Sequence, residues 1–322
     1  MSAATAKRVA SCFGLGEPTA DPAYSDRGEL SQVWRLSTDR GDWAIKELFD
    51  PVSEASAAAD VAFQRAAAAA GIPLPEPVLT VDGRVLMSGQ EAASPAAALR
   101  AYEWAELDPA GRVAVPQFAA VVAALHRVQH PCEGTAIAWF SEPIGADEWW
   151  DLLATAQSGR ASWTPALEHW IPELVVLDAA VRPTDPDRLR TCHRDLGLAN
   201  IRPTTGGGLV VLDWENCGPA EPAQELAAVL CELAGELSTQ DAADGYAAYR
   251  AAGGPARLTS FDDFSMAIAV QGHLLRFYGE RSLHVSLSEQ DRQRADTRMN
   301  RMLRRPLTQA YLSELLAALP RD

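Results

Sequence analysis

Asp195 and Asn200 share the run Thr191-Cys192-His193-Arg194-Asp195-Leu196-Gly197-Leu198-Ala199-Asn200, and Asp213 follows in Val210-Val211-Leu212-Asp213-Trp214-Glu215. Two carboxylates and an amide at this spacing suit phosphoryl transfer. There the protein does little covalent work and mostly positions groups and neutralises charge. The reaction needs a carboxylate near the acceptor hydroxyl and oxygen ligands for a hard cation that bridges the phosphates. Asp195 is the candidate base that takes the acceptor proton, and Asn200 and Asp213 are the candidate ligands of Mg²⁺.

These residues need a scaffold, and the sequence pattern supplies one. Residues 24–49 read as strands: Val33-Trp34-Arg35-Leu36-Ser37 alternates, Asp39-Arg40-Gly41-Asp42 turns, and Trp43-Ala44-Ile45-Lys46-Glu47-Leu48 alternates again. The Ala-rich stretch 53–70 predicts a helix, with Ser53 as its cap and Gly71 at its end. A rigid Pro73-Leu74-Pro75-Glu76-Pro77 connector leads to an expected hairpin, residues 78–81 and 84–87 around Asp82-Gly83, and a short strand at 99–104. Beyond about residue 108 the texture becomes helical, over 115–129, 146–157, 164–181, 222–237, 240–251, 261–278, 288–303 and 306–318. The interruption is a hairpin near 200–213, turning at 204–208. The expected organisation is α+β, with a small β-rich part over 1–107 and a larger helical part over 108–322.

Composition narrows the partners. The 322 residues are 48% hydrophobic and 22% charged, enough for a substantial core, with no apolar run long enough to span a bilayer. A formal charge of −15 opposes binding to nucleic acid or an anionic membrane and permits a cationic ligand. Five scattered cysteines without a Cys-x-x-Cys pair point to reduced thiols and a cytoplasmic protein; Cys192 reads as a small buried hydrophobe. Of the 28 basic residues only Lys7 and Lys46 are lysines, so a mid-strand lysine stands out. A P-loop motif is absent, and so are His-Glu-x-x-His and Gly-x-Ser-x-Gly. Gly14-Leu15-Gly16 lacks the third glycine of a dinucleotide turn.

The run His193 to Asn200 has the form His-Arg-Asp-Leu-x-x-x-Asn of a kinase catalytic loop. With Leu125-His126, Asp213-Trp214-Glu215, Gly218-Pro219-Ala220-Glu221-Pro222 and Glu225-Leu226-Ala227, the chain resembles the aminoglycoside phosphotransferase family and its small-molecule kinase relatives. The resemblance implies a bilobed protein-kinase-like fold, a nucleotide (ATP or GTP) in the cleft, and Mg²⁺. It makes Lys46 the partner of the α- and β-phosphates, steadied by an acid on the following helix, Asp60 or Glu54. It assigns Asp26-Arg27-Gly28-Glu29-Leu30-Ser31-Gln32 to the nucleotide-covering loop, with Gly28 and Ser31 near phosphate. Residues 99–107 become the hinge, where main-chain groups of Tyr102, Glu103 and Trp104 meet the base. His193, Arg194 and Glu225 then support the catalytic loop.

No Asp-Phe-Gly or Ala-Pro-Glu context is present, which turns the expectation from a protein to a small hydroxylated acceptor. Trp139, Glu142, Asp147, Glu148, Trp149 and Trp150 form one aromatic and acidic cluster in sequence, and Glu232 and Glu236 stand at i, i+4 on a later helix. A cationic acceptor, an aminoglycoside or amino sugar, suits such walls, although tryptophans usually fill cores and helix acids usually face water. A metabolic kinase of a sugar or amino alcohol carries the same motifs, and a nucleotide-binding pseudokinase is the alternative without catalysis.

Overall fold

In the computed structural model, which describes residues 1–321, the chain opens with a helix, α1 (Ala3–Phe13), that the sequence pattern did not announce. Ser2 caps it, accepting from the Thr5 N–H, and Gly14 ends it at φ 66°, a conformation that costs glycine little. Then come β1 (Ala23–Arg27), β2 (Ser31–Thr38) and β3 (Gly41–Leu48), the expected alternating strands. The helix α2 (Glu54–Ala69) follows, with Ser53 accepting from the Ser56 N–H. After it stand β4 (Pro77–Val78), β5 (Met87–Ser88), the single turn α3 (Gly89–Ala92) and β6 (Ala98–Glu103). The antiparallel sheet runs β1-β2-β3-β6-β4, with β5 also on β6.

The expected hairpin over 78–87 is corrected. Its turn forms, with the Thr80 N–H donating to the Arg84 carbonyl at 2.8 Å, but β4 and β5 do not pair with each other. Each instead pairs with β6, Val78 opposite Ala101 and Met87 opposite Leu99. The reason is burial: Ala98, Leu99, Arg100 and Ala101 are all buried, so both short segments cover an edge that water cannot satisfy. Leu36, Ile45, Leu99 and Ala101 pack with Val9, Ala10 and Phe13 of α1 in a common core.

The remaining elements are α4 (Val115–His126), the turn α5 (Ala138–Ser141), α6 (Ala146–Gly159), α7 (Thr164–Asp178), β7 (Arg190–Cys192), β8 (Ile201–Pro203), β9 (Leu209–Val211) and β10 (Gly218–Ala220). Five longer helices follow: α8 (Pro222–Glu236), α9 (Thr239–Ala251), α10 (Ser265–Leu283), α11 (Glu289–Arg304) and α12 (Gln309–Ala318). The eight expected helices of this region are present. Two start later than expected: residues 261–264 form a 3₁₀ turn ahead of α10, and α12 begins at Gln309, capped by Thr308. No described helix is long and apolar enough to cross a membrane.

Two compact units result. The first comprises Met1–Ala114, Val128–His130 and Leu198–Cys217, so it takes in the β8–β9 hairpin from far along the chain. Backbone bonds explain this: Asp108 N–H to the Pro203 carbonyl (2.9 Å), Thr205 N–H to Glu106 (3.0 Å) and Val211 N–H to Pro73 (2.9 Å). The second unit holds the rest, built on a core that includes Trp149, Trp163, Ile171, Leu275 and Met299.

Candidate active site

In the first unit, Lys46 lies mid-strand in β3, opposite Val33 of β2 and Arg100 of β6. Its ammonium donates to Asp213 Oδ1, and to Glu215 Oε2 at 2.7 Å. Asp213 stands just past β9 with φ 63°, a left-handed backbone uncommon outside glycine. The turn is held from below, where buried Trp214 donates its indole N–H to the Val211 carbonyl and packs against Phe63 of α2. Leu212 N–H donates to the Asn200 carbonyl at 2.8 Å, so Asn200 and Asp213 sit at the open end of one hairpin. Both offer oxygen, as a hard cation requires. Among the described residues no three His, Cys, Asp or Glu side chains form a metal cage. Two oxygen-bearing side chains are enough for a hard divalent ion when phosphate and water supply the rest of its shell.

The charges are finely set. Burial pushes Lys46 down, but Glu215 and Asp213 outweigh it, so the ammonium is held well above its usual range. Burial raises Asp213, Lys46 opposes, and the neighbouring Glu215 adds to the rise. Glu215 ends lower than an ordinary carboxylate despite its burial, because Lys46 faces it. The acid that steadies Lys46 is thus Glu215, not Asp60 or Glu54. Asp60 instead pairs with buried Arg100 at 2.9 Å, and Glu54 accepts from the Val85 and Leu86 N–H groups at 2.6 and 3.1 Å. An aspartate on α2 is one methylene short, and the arginine fills the gap.

Other expected nucleotide contacts divide. Gly28 and Ser31 lie in the turn between β1 and β2, the Gly28 N–H donating to the Ser31 carbonyl at 2.9 Å. A Cβ at Gly28 would meet Ser31 Oγ at 3.7 Å, an ordinary contact, so nothing in this turn demands glycine. In the segment assigned as hinge, Tyr102 donates its hydroxyl to Glu215 Oε1 at 2.9 Å. The Glu103 and Trp104 N–H groups already donate to Glu76 (2.9 Å) and Asp42 (3.1 Å), which removes them as donors to a base. The Trp104 ring carries the Arg35 guanidinium at 4.9 Å.

In the second unit, β7 pairs with β10, Cys192 opposite Gly218, and this short ladder launches the catalytic-loop segment. Cys192 and His193 are buried, Asp195 is exposed, and burial pushes the Cys192 thiol up. Arg194 takes φ 66°, and its N–H donates to Glu225 Oε1 from the first turns of α8. Its guanidinium lies over the Phe140 ring at 4.5 Å, next to Gly218, where any Cβ would collide with it.

Glu225 is itself held by a buried chain. Ala256 N–H donates to the Tyr249 hydroxyl (3.0 Å), and that hydroxyl bonds His126 Nδ1 (2.8 Å). His126 Nε2 then lies 2.9 Å from Glu225 Oε2. Burial is the largest single influence and would raise Glu225, but the His126 hydrogen bond and charge, His193 and the Arg194 N–H together outweigh it, and the carboxyl lies below its usual range. A carboxylate depressed on folding stabilises fully above its unfolded pKa of about 4.3 and loses that contribution as pH falls through the folded value. His126→Ala leaves this carboxylate buried and under-partnered, at a cost of about 3–5 kcal/mol. Urea midpoints should fall strongly at pH 7, and the gap to the parent should narrow at pH 5 as Glu225 takes up a proton.

The acceptor candidates fare unevenly. Trp149 is corrected: it is fully buried in the second unit's core and donates to Asp178 at 2.7 Å, so it touches no acceptor. Glu148 pairs with Arg276 (3.2 Å), Glu236 with Arg301 (2.6 Å), and exposed Glu142 offers its carbonyl to His273 (3.1 Å). Glu232 lies against the loop, with its carboxylate where a Cβ on Gly197 would fall. Sequence reasoning missed Arg100, Glu215 and Tyr249 as structural partners. A charge amid the apolar run Ala98-Leu99-Arg100-Ala101 was the signal for the first.

Residues 26–261 match the model of the phosphotransferase enzyme family, APH. The chain belongs to this family of phosphotransferase enzymes. Its fold is similar to a spectinomycin phosphotransferase solved with ADP and spectinomycin, at 13% identity and TM-score 0.68, over 99% of this chain and 98% of that one. An amicoumacin kinase in complex with AMP-PNP and Ca²⁺ is similar at 14% identity and TM-score 0.61, over 98% and 94%. A choline/ethanolamine kinase family protein from Mesorhizobium loti follows at 17% and 0.55, over 97% of both chains. None of the curated proteins compared with the chain matches it in sequence.

Proposed function

We propose that the chain transfers the γ-phosphoryl group of ATP or GTP to a hydroxyl of a small cationic acceptor, an aminoglycoside or amino sugar, with Mg²⁺. One observation carries this reading: the ammonium of Lys46 already meets the carboxylate of Asp213. A phosphate-binding cation and a metal-binding anion must sit side by side to hold a metal–triphosphate. In this reading Lys46 binds the α- and β-phosphates. Asn200 and Asp213 hold Mg²⁺, which neutralises the phosphate charge. Asp195 orients the acceptor hydroxyl and takes its proton at a carboxylate oxygen. His193, Arg194 and Glu225 keep the loop in shape, and Glu225 does so directly through the Arg194 N–H.

A cationic acceptor is supported by the charge of −15 and by Glu232 beside Gly197, two residues past Asp195. The relatives solved with spectinomycin and amicoumacin lend the acceptor class further support. The test supplies Mg²⁺ with ATP or GTP and a panel of aminoglycosides, amino sugars, neutral sugars and amino alcohols, and follows phosphorylated product by mass. Transfer to an aminated sugar is expected. Product only from neutral sugars or amino alcohols would make this a metabolic kinase of another acceptor. A melting shift with Mg²⁺–ATP but no product from any acceptor would favour the pseudokinase reading.

A further inference from the structure

Lys46 and Arg100 stand directly opposite each other on β3 and β6, on the same face of the sheet. Two opposed cations repel unless anions lie between them. Glu215 is that shared anion. Its Oε2 accepts from Lys46 Nζ at 2.7 Å, while Oε1 takes the Tyr102 hydroxyl at 2.9 Å and lies 4.0 Å from Arg100 NH1. Arg100 is 2% exposed, and its NH2 group donates to Asp60 of α2 at 2.9 Å. Its Nε and NH1 meet no hydrogen-bond acceptor among the described residues, so one arm of the guanidinium is anchored and the other faces Glu215.

This arrangement answers a difficulty in phosphate binding. The Lys46 ammonium has three N–H donors, two of them spent on Asp213 and Glu215, and leaning toward a phosphate weakens its bond to Glu215, whose side chain is only 15% exposed. A buried carboxylate left without a cation is costly enough to keep the lysine where it is. Arg100 NH1 has to approach by about 1 Å to reach hydrogen-bonding distance of Glu215. We propose that Arg100 is a positioning residue for Lys46: anchored by Asp60, it takes over Glu215 when Lys46 turns to the nucleotide phosphates. The inference rests on reading Lys46 as the phosphate-binding lysine.

Titration calorimetry with ADP and Mg²⁺ tests it on the full chain. Arg100→Met should weaken ADP binding at least tenfold. Should that variant not fold, because Asp60 loses its bond to Arg100, Arg100→Met with Asp60→Leu removes both ends of the buried pair and should show the same loss. Adding Glu215→Gln to either should restore most of the affinity, since no carboxylate then waits for a cation. A merely structural arginine would give additive losses at positions 100 and 215. Binding within twofold of the parent, or no recovery on adding Glu215→Gln, would overturn the proposal.

A second readout needs no nucleotide. The chain has only two lysines, and Lys7 is exposed, so ¹⁵N-lysine labelling yields one buried ammonium signal. Its protons should exchange more slowly once Arg100 is gone, because Lys46 becomes the sole cation on Glu215. Unchanged exchange would also sink the idea. If the parent protein binds no ADP, the phosphotransferase reading fails instead, and the lysine signal decides the role of Arg100 by itself.

Discussion

Asp195→Asn is expected to lower turnover by about 10²–10⁴-fold, the usual contribution of a positioned base. The side chain is exposed, so the isosteric change removes proton acceptance without opening a hole in a core. The shape of its loop is set elsewhere, by the Arg194 N–H on Glu225 and by the β7–β10 ladder. The KM for nucleotide and the melting temperature should therefore stay near the parent values while kcat collapses. A coupled nucleotide-consumption assay alongside a thermal melt checks both. Parent-like turnover would remove Asp195 from the role of base.

Asp213→Asn should cost about as much in rate, because charge stabilisation by a bound metal is worth several kcal/mol in the transition state. Its effect on the ligand-free fold should be of a different kind. Lys46 keeps Glu215 at 2.7 Å, so the lysine is not left without a carboxylate. The repulsion between Asp213 and Glu215, which helps to raise Asp213, disappears. The ligand-free melting temperature should not fall, while the extra stabilisation expected of the parent with Mg²⁺–ADP should be lost. A large drop in the ligand-free melting temperature would mean that Asp213 serves the fold rather than a metal. The contrast between these two variants separates proton transfer from metal binding.

What the sequence made legible was whatever depends on near neighbours. The alternation in β2 and β3, the Ser53 cap and the long helices all follow from local pattern, and so does the catalytic-loop run. What it hid were partnerships across long separations. Glu215 reaches Lys46 from 169 residues away, and Tyr249 reaches His126 from 123. Periodicity carries no trace of either. The short strands β4 and β5 were misjudged because Asp82-Gly83 signals a turn but not which edge the flanks will cover. Trp149 illustrates the opposite error, in which a chemically suggestive neighbourhood in sequence is split by helix geometry. On α6, Trp149 turns into the core while Trp150 faces water at 52% exposure. The backbone at Arg194 and Asp213 was equally invisible, since neither is a glycine and only the folded surroundings hold them left-handed.

The brace behind the catalytic loop also has a bearing on synthesis. The bend at Arg194 depends on Glu225, Glu225 on His126, and His126 on a tyrosine whose hydroxyl is fixed by Ala256. A chain emerging from the ribosome folds its early segments first, so all the motif residues through Asp213 are outside well before the last link arrives. A nascent chain halted short of residue 256 would display every signature of the enzyme and still lack a settled loop.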